Sequence, residues 1–331
     1  MGSQHIVAAL RGAATGSLKV WRAINGRDGR RILRGRFALL WCGAVWLVAG
    51  CQIAAPPLSL LRAPIVPEIT DAMHQELLRQ HSFGLRRGMR PGVFSLVGDS
   101  ISSNKYFFKP LAHGAQDLGD YASLEPVLEF YRGTTVRSVE GVAFNSFDIS
   151  GIGALSGWKA EHVVEPGSRF WEPLCVPRET PLQCEMRIAR PEITLIMIGT
   201  NDVGATSLPV YADQLYRIVR RVQSYGSIAV LSTLPAQRNA AGVDLAEPYN
   251  QIILGLAVQR RVPLWNFWRA LEALPSQGVE PGDIHPNVPP DERSTDFSST
   301  GLQYGMNVRN LTALQVLAEL HAVLHAPVAA H

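Results

Sequence analysis

Three short polar sequences stand out in this 331-residue chain: Gly98-Asp99-Ser100, Gly199-Thr200-Asn201-Asp202 and Gly282-Asp283-Ile284-His285. Between them they offer a hydroxyl, an imidazole, a carboxamide and several carboxylates, the side chains needed for acyl transfer. A serine hydroxyl is a weak nucleophile until a base within hydrogen-bonding reach takes its proton. Ser100 directly follows Val93-Phe-Ser-Leu-Val97, an apolar run that reads as a buried strand able to hold the hydroxyl in place. Among nine histidines, His285 is the best-placed base. His5 lies in a basic leader, His321, His325 and His331 lie on a terminal helix or tail, and His74, His81, His113 and His162 have no comparable setting. A positioned general base contributes roughly 10²–10⁴ in rate.

The elements that would carry these residues alternate between two periodicities. Thr70–Gln80 reads as a helix capped by Thr70. Val93–Val97, Ile193–Ile198, Ile228–Ser232 and Val262–Trp265 are continuous apolar runs, the pattern of strands buried on both faces. Tyr211–Tyr225, Tyr249–Arg261 and Asn310–His325 carry apolar residues at helical spacing. Strands of this type separated by amphipathic helices predict a three-layer α/β/α sandwich with a mainly parallel, flavodoxin-like sheet. In such sheets ligands bind beyond the carboxyl ends of the strands, where two of the three polar sequences fall.

With these blocks in this order, the chain resembles the SGNH (GDSL-type) hydrolases over roughly residues 93–325. The family's first block is a Gly-Asp-Ser after the first strand, its third a Gly-x-Asn-Asp, and its fifth a C-terminal histidine. The resemblance implies Ser100 as nucleophile and His285 as base. It also implies an oxyanion hole built from the Ser100 backbone N–H, a second-block glycine N–H and the Asn201 side-chain amide. Ile149-Ser150-Gly151 is similar to the second block, which points to Gly151 with Gly153 in reserve. Asp99, Gly199 and Asp202 are expected to support the loops. One position departs from the family: the acid usually three residues before the histidine is Gly282 here, and the nearest carboxylate, Asp283, is only two residues away. Either Asp283 orients the imidazole, or Glu280, Asp296 or a backbone carbonyl does. The resemblance implies no metal and no organic cofactor. Trp265 and Trp268, on either side of Asn266, read as core residues rather than as walls of a substrate groove. The Gly-x-Ser-x-Gly elbow of other α/β hydrolases is absent.

The charge is unevenly spread. Residues 1–36 hold eight Lys/Arg against one acid, so they carry +7 in a chain whose net charge is +3, and the remainder is acidic at −4. Residues 37–50 are uncharged, and their end with the next residue, Val48-Ala49-Gly50-Cys51, resembles a lipoprotein lipobox. A basic region, a short apolar run and small residues at its end make an export signal. Residues 1–50 are therefore read as a signal peptide, Cys51 as the lipidated residue, 51–68 as a Pro-rich tether and 69–331 as the catalytic domain. This places the protein on the outer face of a bacterial membrane or outside the cell. The basic residues belong to the address, so no nucleic-acid partner is expected. Cys175 and Cys184, nine positions apart in a Pro-containing loop, suit a local disulfide in an oxidising compartment.

The reading is an exported serine esterase whose substrate is an ester, an acylated glycan or lipid among the candidates. Two rivals share the fold: a surface or glycan-binding protein with impaired catalysis, suggested by the displaced acid, and an O-acyltransferase.

Overall fold

The computed structural model describes residues 59–148, 151–166 and 173–326. Its strands are β1 (Arg90–Gly98), β2 (Thr135–Val139), β3 (Val142–Asn145), β4 (Pro191–Met197), β5 (Ile228–Ser232) and β6 (Leu264–Trp265). Its α-helices are α1 (Asp71–Arg86), α2 (Lys109–Ala112), α3 (Glu125–Arg132), α4 (Ala160–Val164), α5 (Pro181–Ala189), α6 (Leu208–Tyr225), α7 (Glu247–Arg260), α8 (Phe267–Leu271) and α9 (Gly305–Leu324).

The four apolar runs form one parallel sheet in the order β1-β4-β5-β6. All seven residues of β4 are buried, as a central strand covered on both faces requires. Beyond β1 the chain makes a parallel bridge at Ala154: Gly98 N–H donates to Gly153 O at 3.1 Å and Leu155 N–H to Gly98 O at 3.3 Å. The sheet is thus flavodoxin-like, with its strand on the far side of β1 reduced to a bridge. Helix α9 packs on α1, α3, α8 and β6, while α6 packs on α4, α5, α7 and β5. These two groups complete the three layers. β2 and β3 form a separate antiparallel hairpin that alternation did not reveal.

The helices run longer than their apolar patterns because buried polar residues interrupt those patterns. Thr70 caps α1 as expected, its hydroxyl accepting from Met73 N–H at 3.4 Å, but the helix continues past Gln80 to Arg86. Gln80 is buried and donates to Gln223 O at 2.7 Å, so a polar residue occupies an inward position. Helix α9 likewise starts at Gly305 rather than Asn310. Asn307, Arg309 and Asn310 in its first turns are all buried, Asn307 donating to Arg293 O and Asp296 O at 2.8 and 2.9 Å.

Two local expectations are corrected. The tether was placed at 51–68, but from Ser59 the chain is docked: Leu60 is buried against Ala236, Leu254 and Trp268, and Asn266 Nδ2 donates to Leu60 O and Ala63 O at 2.7 and 3.0 Å. Residues 51–58, with Cys51 and the signal, lie outside the described residues. Cys175 and Cys184 are joined, their Cα atoms 5.4 Å apart, but Cys184 sits inside α5 rather than in a loop. Thr180 begins that helix with a capping box, accepting from Gln183 N–H at 3.2 Å. Among the described residues no helix is long and apolar enough to cross a membrane.

Closing so short a loop restricts the unfolded chain by about 2–3 kcal/mol. The double variant Cys175→Ala/Cys184→Ala should therefore melt about 4–10 °C lower, as read by differential scanning calorimetry.

Candidate active site

Ser100 stands on the turn that leaves the carboxyl end of β1. Asp99 sets that turn: its Oδ1 accepts Ile101 N–H at 3.0 Å, and its carbonyl accepts Ser102 N–H and Ser103 N–H at 3.1 and 3.0 Å. Asp99 is fully buried, and burial pushes its carboxyl up; hydrogen bonds from Ile101 and Thr200 and the charge of Arg309 oppose that shift.

Arg309, on α9, lies under this loop with 1% of its surface exposed. Its guanidinium sits 3.9 Å from the Phe107 ring centroid and 5.2 and 5.4 Å from those of Trp265 and Phe267. Nη2 donates to Ser102 Oγ at 3.2 Å. Burial pushes the guanidinium down to about 9, with the Asp99 carboxylate opposing, so it stays charged at neutral pH. Nothing in the sequence marked Arg309, because a cation within an apolar helical stripe reads as a solvent-facing residue. The same contacts bury Trp265, and Trp268 donates its Nε1–H to Asp244 Oδ2 at 2.9 Å, so both tryptophans are core.

Asn201 and Asp202 follow β4. Asp202 is buried, and its Oδ2 accepts Ala160 N–H, the first amide of α4, at 2.9 Å. Burial pushes this carboxyl up as well, the Ala160 N–H opposing. Gly199 turns the chain out of the strand, where Tyr211 donates its hydroxyl to Ile198 O at 2.9 Å. Asn201 Nδ2 donates to Trp158 O at 2.9 Å. A carboxamide has two N–H donors, so this bond fixes the group and leaves the other donor for a ligand.

The imidazole arrives from the other end of the domain. His285 Nε2 is 2.8 Å from Ser100 Oγ, and His285 Nδ1 is 2.8 Å from Asp283 Oδ1. The short spacing between acid and histidine works because residues 280–285 form a tight reversal. Asp283 N–H donates to Glu280 O at 3.0 Å, Glu280 N–H donates to His285 O at 3.0 Å, and Gly282 takes φ +79°, which favours glycine. Asp283 also accepts its neighbour's amide, Ile284 N–H, at 2.6 Å. That amide first, and the imidazole with it, holds the Asp283 carboxyl below the usual range. The side chains of His285 and Asp283 are 31% and 49% exposed, so the site opens at the surface. Glu280 meets this loop only through its backbone, and Asp296 caps Ser298 N–H at 2.9 Å, so neither carboxylate is paired with the ring.

Gly151 is not at the site. A Cβ there would stand 2.9 Å from Leu96 O, which places Gly151 back along β1. Its neighbours are held there by the buried Glu185 of α5, which accepts Ile152 N–H at 2.7 Å and the Ser95 hydroxyl. Gly153 lies beside Leu96 and Val97 in the same way. The segment that reaches the carboxyl end of β1 is the turn Leu155–Trp158, closed by Trp158 N–H donating to Leu155 O at 3.2 Å. Gly157 occupies its third position at φ +77°, next to the carbonyl that Asn201 holds. Register misled the sequence reading: the apolar-Ser-Gly pattern occurs twice, at Ile149–Gly151 and Leu155–Gly157, and the second copy reaches the site.

Residues 148–289 match the family model of the GDSL-like lipase/acylhydrolases. The matched segment holds Asn201, Asp283 and His285 but begins after Ser100, so the serine rests on its contact with the imidazole. No curated protein matches the chain at a significant level. Among solved structures, the chain is similar to TesA at 15% identity, covering 69% of this chain and 99% of that one with a TM-score of 0.43. It is also similar to a lipase/acylhydrolase from Enterococcus faecalis at 16% identity, covering 69% and 94% with a TM-score of 0.40. A third, the acetylxylan esterase Axe2 from Geobacillus stearothermophilus, is 16% identical, covering 68% and 93% with a TM-score of 0.41. Likenesses this distant say nothing about substrate.

If Asp283 orients the imidazole, Asp283→Asn should lower kcat by a factor on the order of 10³–10⁴. Its exposed position should leave the melting temperature within about 1 °C. Steady-state kinetics and a thermal melt on the same preparation check both.

Proposed function

We propose that this chain, whose residues 148–289 match the GDSL-like lipase/acylhydrolase model, is an exported serine esterase of the SGNH type working through Ser100, His285 and Asp283. The observation that carries this reading is the unbroken line of contacts from Asp283 Oδ1 through the imidazole to Ser100 Oγ, each 2.8 Å long.

His285 Nε2 takes the proton as Ser100 Oγ attacks the ester carbonyl. The carbonyl oxygen gains negative charge and is met by the Ser100 N–H, the second N–H of Asn201 and the N–H of Gly157, which replaces Gly151 in this role. The turn's own hydrogen bond uses Trp158 N–H, so the Gly157 amide is not consumed by it. The carbonyl re-forms, the alcohol leaves with the proton held by His285, and an acyl-serine remains. Water then gives a proton to the same imidazole and attacks the acyl-serine; the adduct collapses, His285 returns the proton to Ser100 Oγ, and the acid leaves. Asp283, ionised at neutral pH, holds Nδ1–H and balances the imidazolium charge during both steps.

The open site, with Leu155 45% exposed beside it, suits a short acyl group on a large carrier such as a glycan more than a long chain buried in a tunnel. The displaced acid that suggested an impaired binding protein loses its force, because Asp283 lies within hydrogen-bonding reach of the ring. Export rests on the basic leader, the apolar run and the lipobox-like Val48–Cys51. In this reading the lipid on Cys51 holds the domain at the outer face of a membrane.

Ser100→Ala should abolish hydrolysis of p-nitrophenyl acetate and labelling by a fluorophosphonate probe; retained turnover would sink the assignment. Asn201→Ala should cut kcat by about 10²–10³ with the serine still present. Separately, Cys51→Ser should remove palmitate labelling and shift the protein from the membrane to the soluble fraction of its host; an unchanged distribution would refute lipid tethering.

A further inference from the structure

At the opposite end of β4 from Asn201, three potential metal ligands converge from separate elements. They are His81 of α1, Glu192 at the start of β4 and His325 at the end of α9. The Glu192 side chain is wholly buried, and those of His81 and His325 are 11% and 19% exposed. Both rings turn Nε2 toward the same carboxylate oxygen, Oε2, at 3.4 Å from His81 and 3.2 Å from His325, and the donor atoms all lie within 4.8 Å of one another. Zinc with bonds of about 2.0–2.1 Å in a tetrahedron sets its ligand atoms roughly 3.3 Å apart. Two of the three edges already have that length.

The polar groups here satisfy one another only in part: His325 Nε2 straddles the two Glu192 oxygens at 3.4 and 3.2 Å. His81 Nε2 is buried without a hydrogen-bond partner, because its 3.4 Å approach to the carboxylate is misaligned. The buried Tyr131 hydroxyl also faces the Glu192 carboxylate, without a well-formed hydrogen bond to it. A buried imidazole nitrogen left without a well-formed hydrogen bond beside a carboxylate is costly in an ion-free site. The other carboxylate oxygen, Oε1, accepts Gly92 N–H at 2.9 Å, the kind of outer contact that orients a ligating carboxylate.

We propose that His81, Glu192 and His325 form a divalent-cation site, with zinc as the ion that two imidazoles and one carboxylate suit best. Two neutral imidazoles and one carboxylate carry −1, which a divalent cation offsets inside a buried pocket. The fourth position is open to water or to the Tyr131 oxygen. The ion would tie the first helix of the domain to the end of its last helix across the amino end of β4. Glu192 and Met197 lie five residues apart along β4, about 17 Å at 3.3 Å per residue, and the Ser100 site lies beyond Met197, so the ion takes no part in the chemistry there.

The test uses the untagged full chain, dialysed after exposure to zinc and assayed by elemental mass spectrometry. The wild type should retain about one zinc per chain, and zinc at about 100 times its Kd should raise the melting temperature by about 5–10 °C. His81→Ala/His325→Ala should retain none while hydrolysing p-nitrophenyl acetate at the wild-type rate. If the double variant does not fold, the single variant His325→Ala serves with Co²⁺ as probe: the visible bands of tetrahedral Co²⁺ should appear in the wild type and be lost in the variant. No retained zinc in folded, active wild type would overturn the proposal. So would equal retention by wild type and variants, which would place the ion elsewhere.

Discussion

Ser100 Oγ and His285 Nε2 meet at 2.8 Å although 185 positions separate them in the chain, and the parallel sheet and the terminal helix together fix that distance. A hydroxyl and a base that drift apart by an ångström lose the proton transfer on which the chemistry depends. The sheet supplies the first constraint: β1 is locked in register to β4 from Ile193 to Met197, which fixes the point from which Ser100 emerges. The second comes from α9. Asn287, two residues beyond His285, accepts Gly305 N–H through Oδ1 at 2.6 Å and Met306 N–H through its carbonyl at 3.0 Å. The first amides of the terminal helix thus hold the histidine loop, using donors that a helix start leaves unpaired.

One helix therefore holds both halves of the proposed catalytic pair. Four residues after Gly305, Arg309 presses up against the nucleophile loop at Ser102, and one residue further Asn310 accepts Phe108 N–H at 2.8 Å and donates to Tyr106 O and Ser294 O at 2.9 and 2.8 Å. A buried guanidinium is an expensive means of support. Burial pushes Arg309 down and Asp99 up, so desolvation outweighs their mutual attraction in each case. What the arrangement gains is position: the aromatic faces of Phe107, Trp265 and Phe267 take up the cation, and its N–H groups meet the loop from below.

These features explain how much the sequence disclosed. The sheet was legible because a strand buried on both faces has no polar alternation, and Ile193–Ile198 and Ile228–Ser232 show that directly. The blocks holding Ser100, Asn201 and His285 stand out because they fall at strand ends or in a distinctive loop, and the fold brings Ser100 and His285 to 2.8 Å. Helix lengths were not, since Gln80, Asn307, Arg309 and Asn310 are polar residues whose partners lie far away in the chain. A buried side chain that bonds a carbonyl 143 positions off, as Gln80 does to Gln223, leaves no local trace of its burial. The β2–β3 hairpin was hidden for the reverse reason. Val139 and Val142 are exposed, so no buried face imposed a period on those strands.

The second oxyanion donor shows the same limit at the scale of a single loop. Pattern alone favours Gly151, since an apolar-Ser-Gly stretch ahead of a helix fits the expected block. The bridge from Gly98 to Ala154 decides otherwise, because it sets which residues run beside β1 and which pass its end. Gly151 and Gly153 are spent on close packing against Leu96, and the buried Glu185 carboxylate anchors the segment between them. Only after Leu155 does the chain clear the strand. The repeat of the same three-residue pattern at Leu155–Gly157 then puts a glycine in a left-handed turn beside the carbonyl that Asn201 holds. The buried acid on α5 thus holds Gly151 and Gly153 beside β1, while Gly157 lies past its end.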